Sequence, residues 1–578
     1  MLLILADLEP EDHFRLSLTC QHFQFIIRSD SICRVTLRRT GKYASSWRRL
    51  VKRRIAVQTA TPFHFSVLGT AVRFILSNGA LVYKPSASEI RILFLDGSAD
   101  EEIHIDPGRL VVQAIPQLRT WLSPFSVDPL HYSDGIASFL VEAVEQKHLI
   151  FCHVKQRNII GAHQVEWTNS IFVRNNGEYL YYGFQKHYPG DRWLWVIRGY
   201  NLLTHAWISD HRLPAGFSGT ELGLNVCFEI IDGYLYGVSS SAGSPRLDVL
   251  NERGPWEDSF YRVFRMELGD SSRSPRQDLP KKFSWRRPWR SGCVDLRYND
   301  LKLIKDEGTG VLWIYEVRKE WSLSGHTERN CYRKAISTIH FSTADDRFLT
   351  SSFDAAPAEI PSSEMYDEIL RGENAHIGEN GVDLGQGDPG RVYAHTYHTA
   401  TRTFVDIIGT RSASDPDREW LRLRVRPMTR YTDESFGGWN LHGYSPAGTH
   451  QARFWPPEPT PGRCDPTLDL IHALMNPQKG PVEKIRWAAD ERFFVFSPVG
   501  RGRHQPRALI LASFDPGLRL HGLRKVDGTP ERPVPQCLEH MSPHLHPDDD
   551  GWASNVQPFH LVIKSHDGPR YGFDFTAY

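Results

Sequence analysis

Apolar side chains recur at helical spacing over the first forty residues and at every second position beyond residue 60. Ile4-Leu5-x-x-Leu8 puts three apolar groups on one helical face. Pro10 suits the first turn of a second helix, with Glu11 and Asp12 at its positive end and Phe14, Leu16 and Leu18 along it. Phe23, Phe25, Ile26 and Ile27 mark a third. Helices this short bury too little surface to stand alone, so residues 1–40 read as a small module that needs cover from a partner or from the next domain. In residues 41–60, Trp47, Leu50, Val51 and Ile55 recur at helical spacing with Arg48, Arg49, Lys52 and Arg53 between them. This predicts a basic amphipathic linker helix.

From Phe63 the period is two. Val72–Leu76 and Leu81–Tyr83 flank Asn78-Gly79, a pair that supplies the positive φ angles of a tight hairpin. Strands are predicted at Ile90–Leu95, Leu110–Ala114, Ala137–Val141, Leu149–Val154, Ile171–Val173, Tyr179–Gly183 and Trp193–Ile197. Asn175-Asn176-Gly177 turns the chain between two of them. Asp232-Gly233-Tyr234-Leu235-Tyr236-Gly237 repeats the theme of residues 177–183, and residues 310–315 and 492–496 echo it weakly. A recurring strand-turn-strand unit implies radial repetition. Tyr200-Asn201-x-x-Thr204-x-x-Trp207 resembles the closing half of a kelch blade, without the twin glycines that open one. The expected fold is mainly β with a small α-helical N-terminal module: a propeller-like repeat domain over 61–578 with roughly 6–8 blades. Loop insertions are expected near 354–390, with a short helix at Ser363–Leu370, and near 431–480, where Phe454-Trp455-Pro456-Pro457 lies. Phe559–Lys564 and Arg570–Phe575 are expected to share a blade with residues 61–95 and close the ring.

Composition adds a few limits. Sixteen Trp, 21 Tyr and 30 Phe suit half-buried pleated surfaces. Lysine plus arginine balance aspartate plus glutamate at 68 each, so no global charge calls for nucleic acid or a membrane. The eight cysteines show no metal-type or redox-type spacing. Their dilution suggests reduced thiols. The start Leu2–Ala6 is cut off by Asp7, unlike a secretory leader. No stretch reaches the ~20 apolar residues of a membrane span. The expected location is cytoplasmic, nuclear or both.

Motifs that could carry chemistry are weak. Gly385-x-Gly387-x-x-Gly390 matches a dinucleotide pattern but contains Pro389 and follows no strand. His540, His544 and His546 with Asp548–Asp550 lie in a proline-broken stretch that sets no coordination geometry. Neither a cofactor nor a metal is expected. Lys281–Arg290 interleaves cations with aromatics, as single-strand binders do, yet lacks a basic surround and reads as a blade connection with packed rings and exposed arginines. Leu421–Arg426 alternates apolar and basic, as a strand with one wet face does. Residues 34–54 hold nine basic and no acidic groups: a solvated helix face, an import signal, or a site for an acidic partner.

The string Leu2–Phe23 resembles an F-box, as found in fungal F-box proteins. The family runs Ile-Leu-x-x-Leu, Pro-x-Asp, then an apolar helix ending in Thr/Val-Cys with an aromatic three residues on. Ile4, Leu5, Leu8, Pro10, Asp12, Leu16, Leu18, Thr19, Cys20 and Phe23 occupy those places. The family's usual Leu-Pro-x-Glu opening has no counterpart ahead of the string. The resemblance implies that Ile4, Leu5, Leu8, Pro10, Leu16, Leu18, Cys20 and Phe23 dock on the Skp-type adaptor and cullin complex of an SCF-type ubiquitin ligase. The β domain would then be a non-enzymatic receptor for an unknown protein substrate, with aromatic loops such as that near Trp455 as recognition surfaces. Two alternatives stand beside it: a scaffold with a relic F-box, and a propeller hydrolase drawing paired carboxylates from separate blades.

Overall fold

Three two-residue turns set the pattern of the sheets. Asn78-Gly79 (φ 46° and 75°), Asp134-Gly135 (48° and 81°) and Asp232-Gly233 (50° and 78°) each take the doubly positive φ of a type I′ hairpin. Their twist matches that of the strands they join, so each fixes the register of an antiparallel pair. The computed structural model describes residue 16, residues 19–27 and 29, most of residues 47–343, and then residues 375–376, 391–401, 403–411, 419–427, 452–457, 466–476, 484–499, 507–518, 520, 524–527 and 559–562.

The fold is mainly β, a β-propeller type with seven blades. In chain order the first blade comprises Arg73–Ser77, Ala80–Ser86, Glu89–Phe94 and Ile103–Ile105; the second Ser126–Ser133, Ile136–Glu142, Lys147–His153 and Asn158–Val165. The third has Ile171–Asn175, Tyr179–Tyr188, Arg192–Asn201 and Ala206–Arg212. In the fourth, Val226–Ile231, Tyr234–Ser239, Arg262–Glu267 and Gln277–Asp278 are joined by Ser342–Thr343. The fifth has Asp300–Lys305, Leu312–Trp321, Thr327–Ile336 and Ala375–His376; the sixth Arg391–His398, Thr403–Arg411, Glu419–Pro427 and Arg453–Trp455. The seventh joins Lys484–Ala489, Phe493–Val499 and Arg507–Ser513 to His64–Ala71, and adds Phe559–Val562 and Arg524–Asp527.

The chain divides into two compact units, residues 1–104 with 384–578, and residues 105–383. The first unit holds the first, sixth and seventh blades. Its seventh blade draws strands from both sides of the second unit's sequence: His64↔Ser513 through Ala71↔Arg507 on one edge, and His64↔Val562 through Val67↔Phe559 on the other. The expected sharing of a blade by early and late strands therefore holds for Phe559–Val562; Arg570–Phe575 lies outside the described residues. Phe65, Val67, Val405, Ile407, Leu423, Phe494, Phe496 and Ile510 form this unit's larger core. Ala56 and Val57 of the helix Trp47–Gln58 are buried in it.

The second unit holds the second to fifth blades, and the first strands of successive blades run side by side. Its cores are rich in aromatics, with Phe172 stacked on Phe228 at 3.8 Å between the third and fourth blades. The repeated Gly-x-Tyr-Leu-Tyr theme finds its reason here. Gly183 and Gly237 each sit across the ladder from a phenylalanine, Phe172 and Phe264, whose ring occupies the space a Cβ on the glycine would need. A Cβ would stand 2.3 Å from Phe172 and 2.2 Å from Phe264. Only glycine leaves room for the ring.

Several expectations are corrected. Leu110–Ala114 is not a strand but the end of the helix Pro107–Ala114: Asp106 accepts from the Arg109 amide at 3.1 Å as N-cap, and Pro107 fills the first turn. Arg453–Trp455, placed in an irregular insertion, is the fourth strand of the sixth blade, and the helix Pro466–Met475 follows it. Leu421–Arg426 has no wet face over Arg422 and Arg424, both of which are buried. Arg424 donates to Asp406 at 2.8 Å, and Arg422 donates to the Pro456 carbonyl at 2.9 Å while lying over the Phe454 ring. The second layer that covers this face comes from the segment after Arg453. The short helix expected at Ser363–Leu370 lies outside the described residues.

Candidate functional site

The first candidate surface is the N-terminal helical segment. Thr19 closes the preceding turn by donating its amide and hydroxyl to the Leu16 carbonyl, at 3.0 and 2.7 Å. The helix Gln21–Ile27 then starts from Cys20, whose sulfur accepts from the Phe23 amide at 3.5 Å, as an N-cap oxygen would. Cys20 is exposed, Leu16 and Phe23 are half-buried, and Phe25 is 77% exposed. Leu16, Cys20 and Phe23 thus fall on one short stretch with accessible surface remaining. Ile4, Leu5, Leu8, Pro10 and Leu18 lie outside the described residues. Phe25, which the family pattern does not mark, is the most exposed aromatic among the described residues of the segment.

The basic helix after it is anchored rather than solvated. Arg49 grips Asp515 of the seventh blade with two hydrogen bonds, one of them 2.7 Å. Asp515 also accepts from the Gly517 amide at 3.0 Å. Burial opposes the Asp515 charge, but the Arg49 hydrogen bonds outweigh it and hold the carboxyl below its ordinary value. Burial presses the Arg53 guanidinium down, and the charges of Glu491 and Asp515 resist it.

The second candidate surface lies along the first strands of the second unit. Arg174 forms a bidentate pair with Glu229 at 3.1 and 3.0 Å, bridging the third and fourth blades, and donates to the Val173 carbonyl. Burial works against the guanidinium charge, but Glu229 overcomes it and raises the arginine above its ordinary value. His131, buried on the second blade, is pushed down to about 3 by burial and then by Arg174. Asn175 reaches back to the Ser133 carbonyl at 3.0 Å. Both Glu229 oxygens are held by Arg174. A carboxylate tied in this way is a blade-to-blade brace rather than a free general base. Sequence could not have paired these residues, because each lies in its own strand with nothing to mark it.

The blade-connection segment at Lys281–Arg290 also departs from expectation. Arg286 is buried, not exposed, and binds Glu316 of the fifth blade; the Glu316 carboxylate also accepts from Tyr261 at 2.8 Å and lies 3.7 Å from Arg318. Burial disfavours the Glu316 charge, yet Arg286 and Arg318 bring its carboxyl down to about 2. Phe283 does pack, stacked on His340 at 3.7 Å. Trp455, expected at a recognition loop, is 6% exposed and packs on Phe65 at 5.5 Å. Burial pushes the Cys152 thiol up to about 12 and Cys227 higher still, so neither is a thiolate near neutral pH. Among the described residues no group of three or more His, Cys, Asp or Glu could hold a metal ion, and no helix is long and apolar enough to cross a membrane. The glycine-rich pattern at 385–390 and the histidines at 540–546 lie outside the described residues.

The kelch-like string builds the far hairpin of the third blade. Asn201 accepts from the Leu203 and Thr204 amides at 2.9 and 2.8 Å, and Tyr200 sits across the ladder from Trp207. His163 of the second blade inserts beside them, 4.1 Å from the Trp207 ring and 5.1 Å from that of Tyr200.

No family model and no curated protein matches the chain. Solved structures are similar at the level of backbone. An acylaminoacyl peptidase from Pyrococcus horikoshii aligns at 10% identity and TM-score 0.32, over 80% of this chain and 53% of that one, so the chain spans about half the peptidase's length. Kluyveromyces lactis Hsv2 aligns at 9% identity and TM-score 0.29, covering 77% and 97%. The β-propeller domain of the Trilobed protease from Pyrococcus furiosus aligns at 10% identity and TM-score 0.26, covering 65% and 98%. Likeness at this level transfers no activity to the chain.

Proposed function

We propose that this chain is a non-enzymatic receptor subunit of an SCF-type ubiquitin ligase, in which the N-terminal helices dock on a Skp-type adaptor and the blades hold a protein target. The observation that carries the reading is the helix Gln21–Ile27, which leaves Phe25 77% exposed beside exposed Cys20 and half-buried Leu16 and Phe23. A seven-residue helix is marginal by itself, and an apolar face on it gains order when a partner groove covers it. The blades would contribute proximity: a target held on the same chain as the adaptor-bound helices sees a high local concentration of the ubiquitin-loaded enzyme.

The test is a pull-down of a purified Skp-type adaptor by the full chain, alongside Leu16→Asp and Phe25→Asp. A carboxylate placed in an apolar contact costs on the order of 1–3 kcal/mol, a loss of roughly ten- to a hundred-fold in affinity. Phe25→Asp is the sharper variant, because a side chain this exposed contributes little to folding. An unmodified chain that does not bind the adaptor at micromolar concentration rules the reading out.

A further inference from the structure

No further inference is drawn: the strongest candidate, the exposed apolar patch of Leu203 and Trp207 on the far hairpin of the third blade beside His163 of the second, carries nothing because nothing in the structure shows what covers it.

Discussion

Gly183→Ala probes the packing rule that underlies the repeated motif of the second unit. The new Cβ would lie 2.3 Å from Phe172 Cε1 and 2.8 Å from Cζ, where ordinary contact begins at 3.4 Å, so something must move by about 3.4 − 2.3 = 1.1 Å. Phe172 has little freedom to retreat, being 3% exposed, stacked on Phe228 at 3.8 Å and 5.8 Å from the Trp195 ring. Overpacking of this kind costs ~1–3 kcal/mol. Loss of the aromatic stack adds ~0.5–1.5 kcal/mol. Alanine also stiffens the unfolded chain, which returns ~0.4–1 kcal/mol. The net expectation is a loss of about 0.5–4 kcal/mol. Urea unfolding followed by tryptophan fluorescence and by far-ultraviolet circular dichroism measures it as a lowered midpoint at unchanged slope. A chain with two compact units need not unfold in one step, so the comparison is made transition by transition between the variant and the unmodified chain. Gly177→Ala, with nothing within 4 Å of its Cβ, is the control and should gain about 0.4–1 kcal/mol from the stiffer unfolded chain. Phe172→Leu shortens the obstructing ring and should recover part of the loss, with a coupling of about 1 kcal/mol. Gly183→Ala and Gly177→Ala melting together, with no coupling to Phe172→Leu, would refute the packing argument.

Acid should destabilise the second unit through two histidines. Burial, aided by Arg174 and Arg198 respectively, pushes His131 to about 3 and His163 to about 4, from an ordinary 6.5. Their contribution is complete above the unfolded value and is lost as pH falls, at up to ~1.4 kcal/mol per pH unit for each group, until the folded pKa is passed. His163→Phe should remove about one proton from the pH dependence of unfolding between pH 6 and 4.5. Asp515→Asn removes the charge that Arg49 grips; with the Arg49 side chain 35% exposed and partly screened, a loss of roughly 1–2 kcal/mol is expected. Hydrogen exchange of Trp47–Gln58 should quicken, and unchanged protection there would contradict the anchoring. Asn201→Ala deprives two turn amides of their acceptor and should cost about 1 kcal/mol in urea melts, with no effect on adaptor pull-down.

Local chemistry was legible in the sequence wherever it alone decides the structure. Asn78-Gly79 marks a hairpin whether or not the rest of the chain is known, and the Gly-x-Tyr-Leu-Tyr recurrence exposed the repeat that became seven blades. Leu110–Ala114 misled because its apolar run suits strand and helix alike. Asp106-Pro107, the cap that settles the choice, stands just ahead of it. The arginines of Leu421–Arg426 looked wet because nothing in the sequence links them to Asp406 or to Phe454, which lie in other strands of the blade. The Arg174–Glu229 brace was hidden for the same reason: it joins two blades, and its residues are 55 positions apart. At the N-terminus, Leu16, Cys20 and Phe23 were read from a family pattern, whereas the exposure of Phe25 required coordinates.

The seventh blade has a consequence for the order in which the protein is made. His64–Ala71 leaves the ribosome long before its ladder partners at Arg507–Ser513. At synthesis rates of about 5–20 residues per second, it waits roughly half a minute to a minute and a half with apolar Phe65 and Val67 uncovered. The blades of the second unit emerge complete in the meantime and have no such delay. Any nascent chain released before residue 507 would carry the helix Gln21–Ile27 together with a His64–Ala71 strand that lacks its Arg507–Ser513 ladder partner.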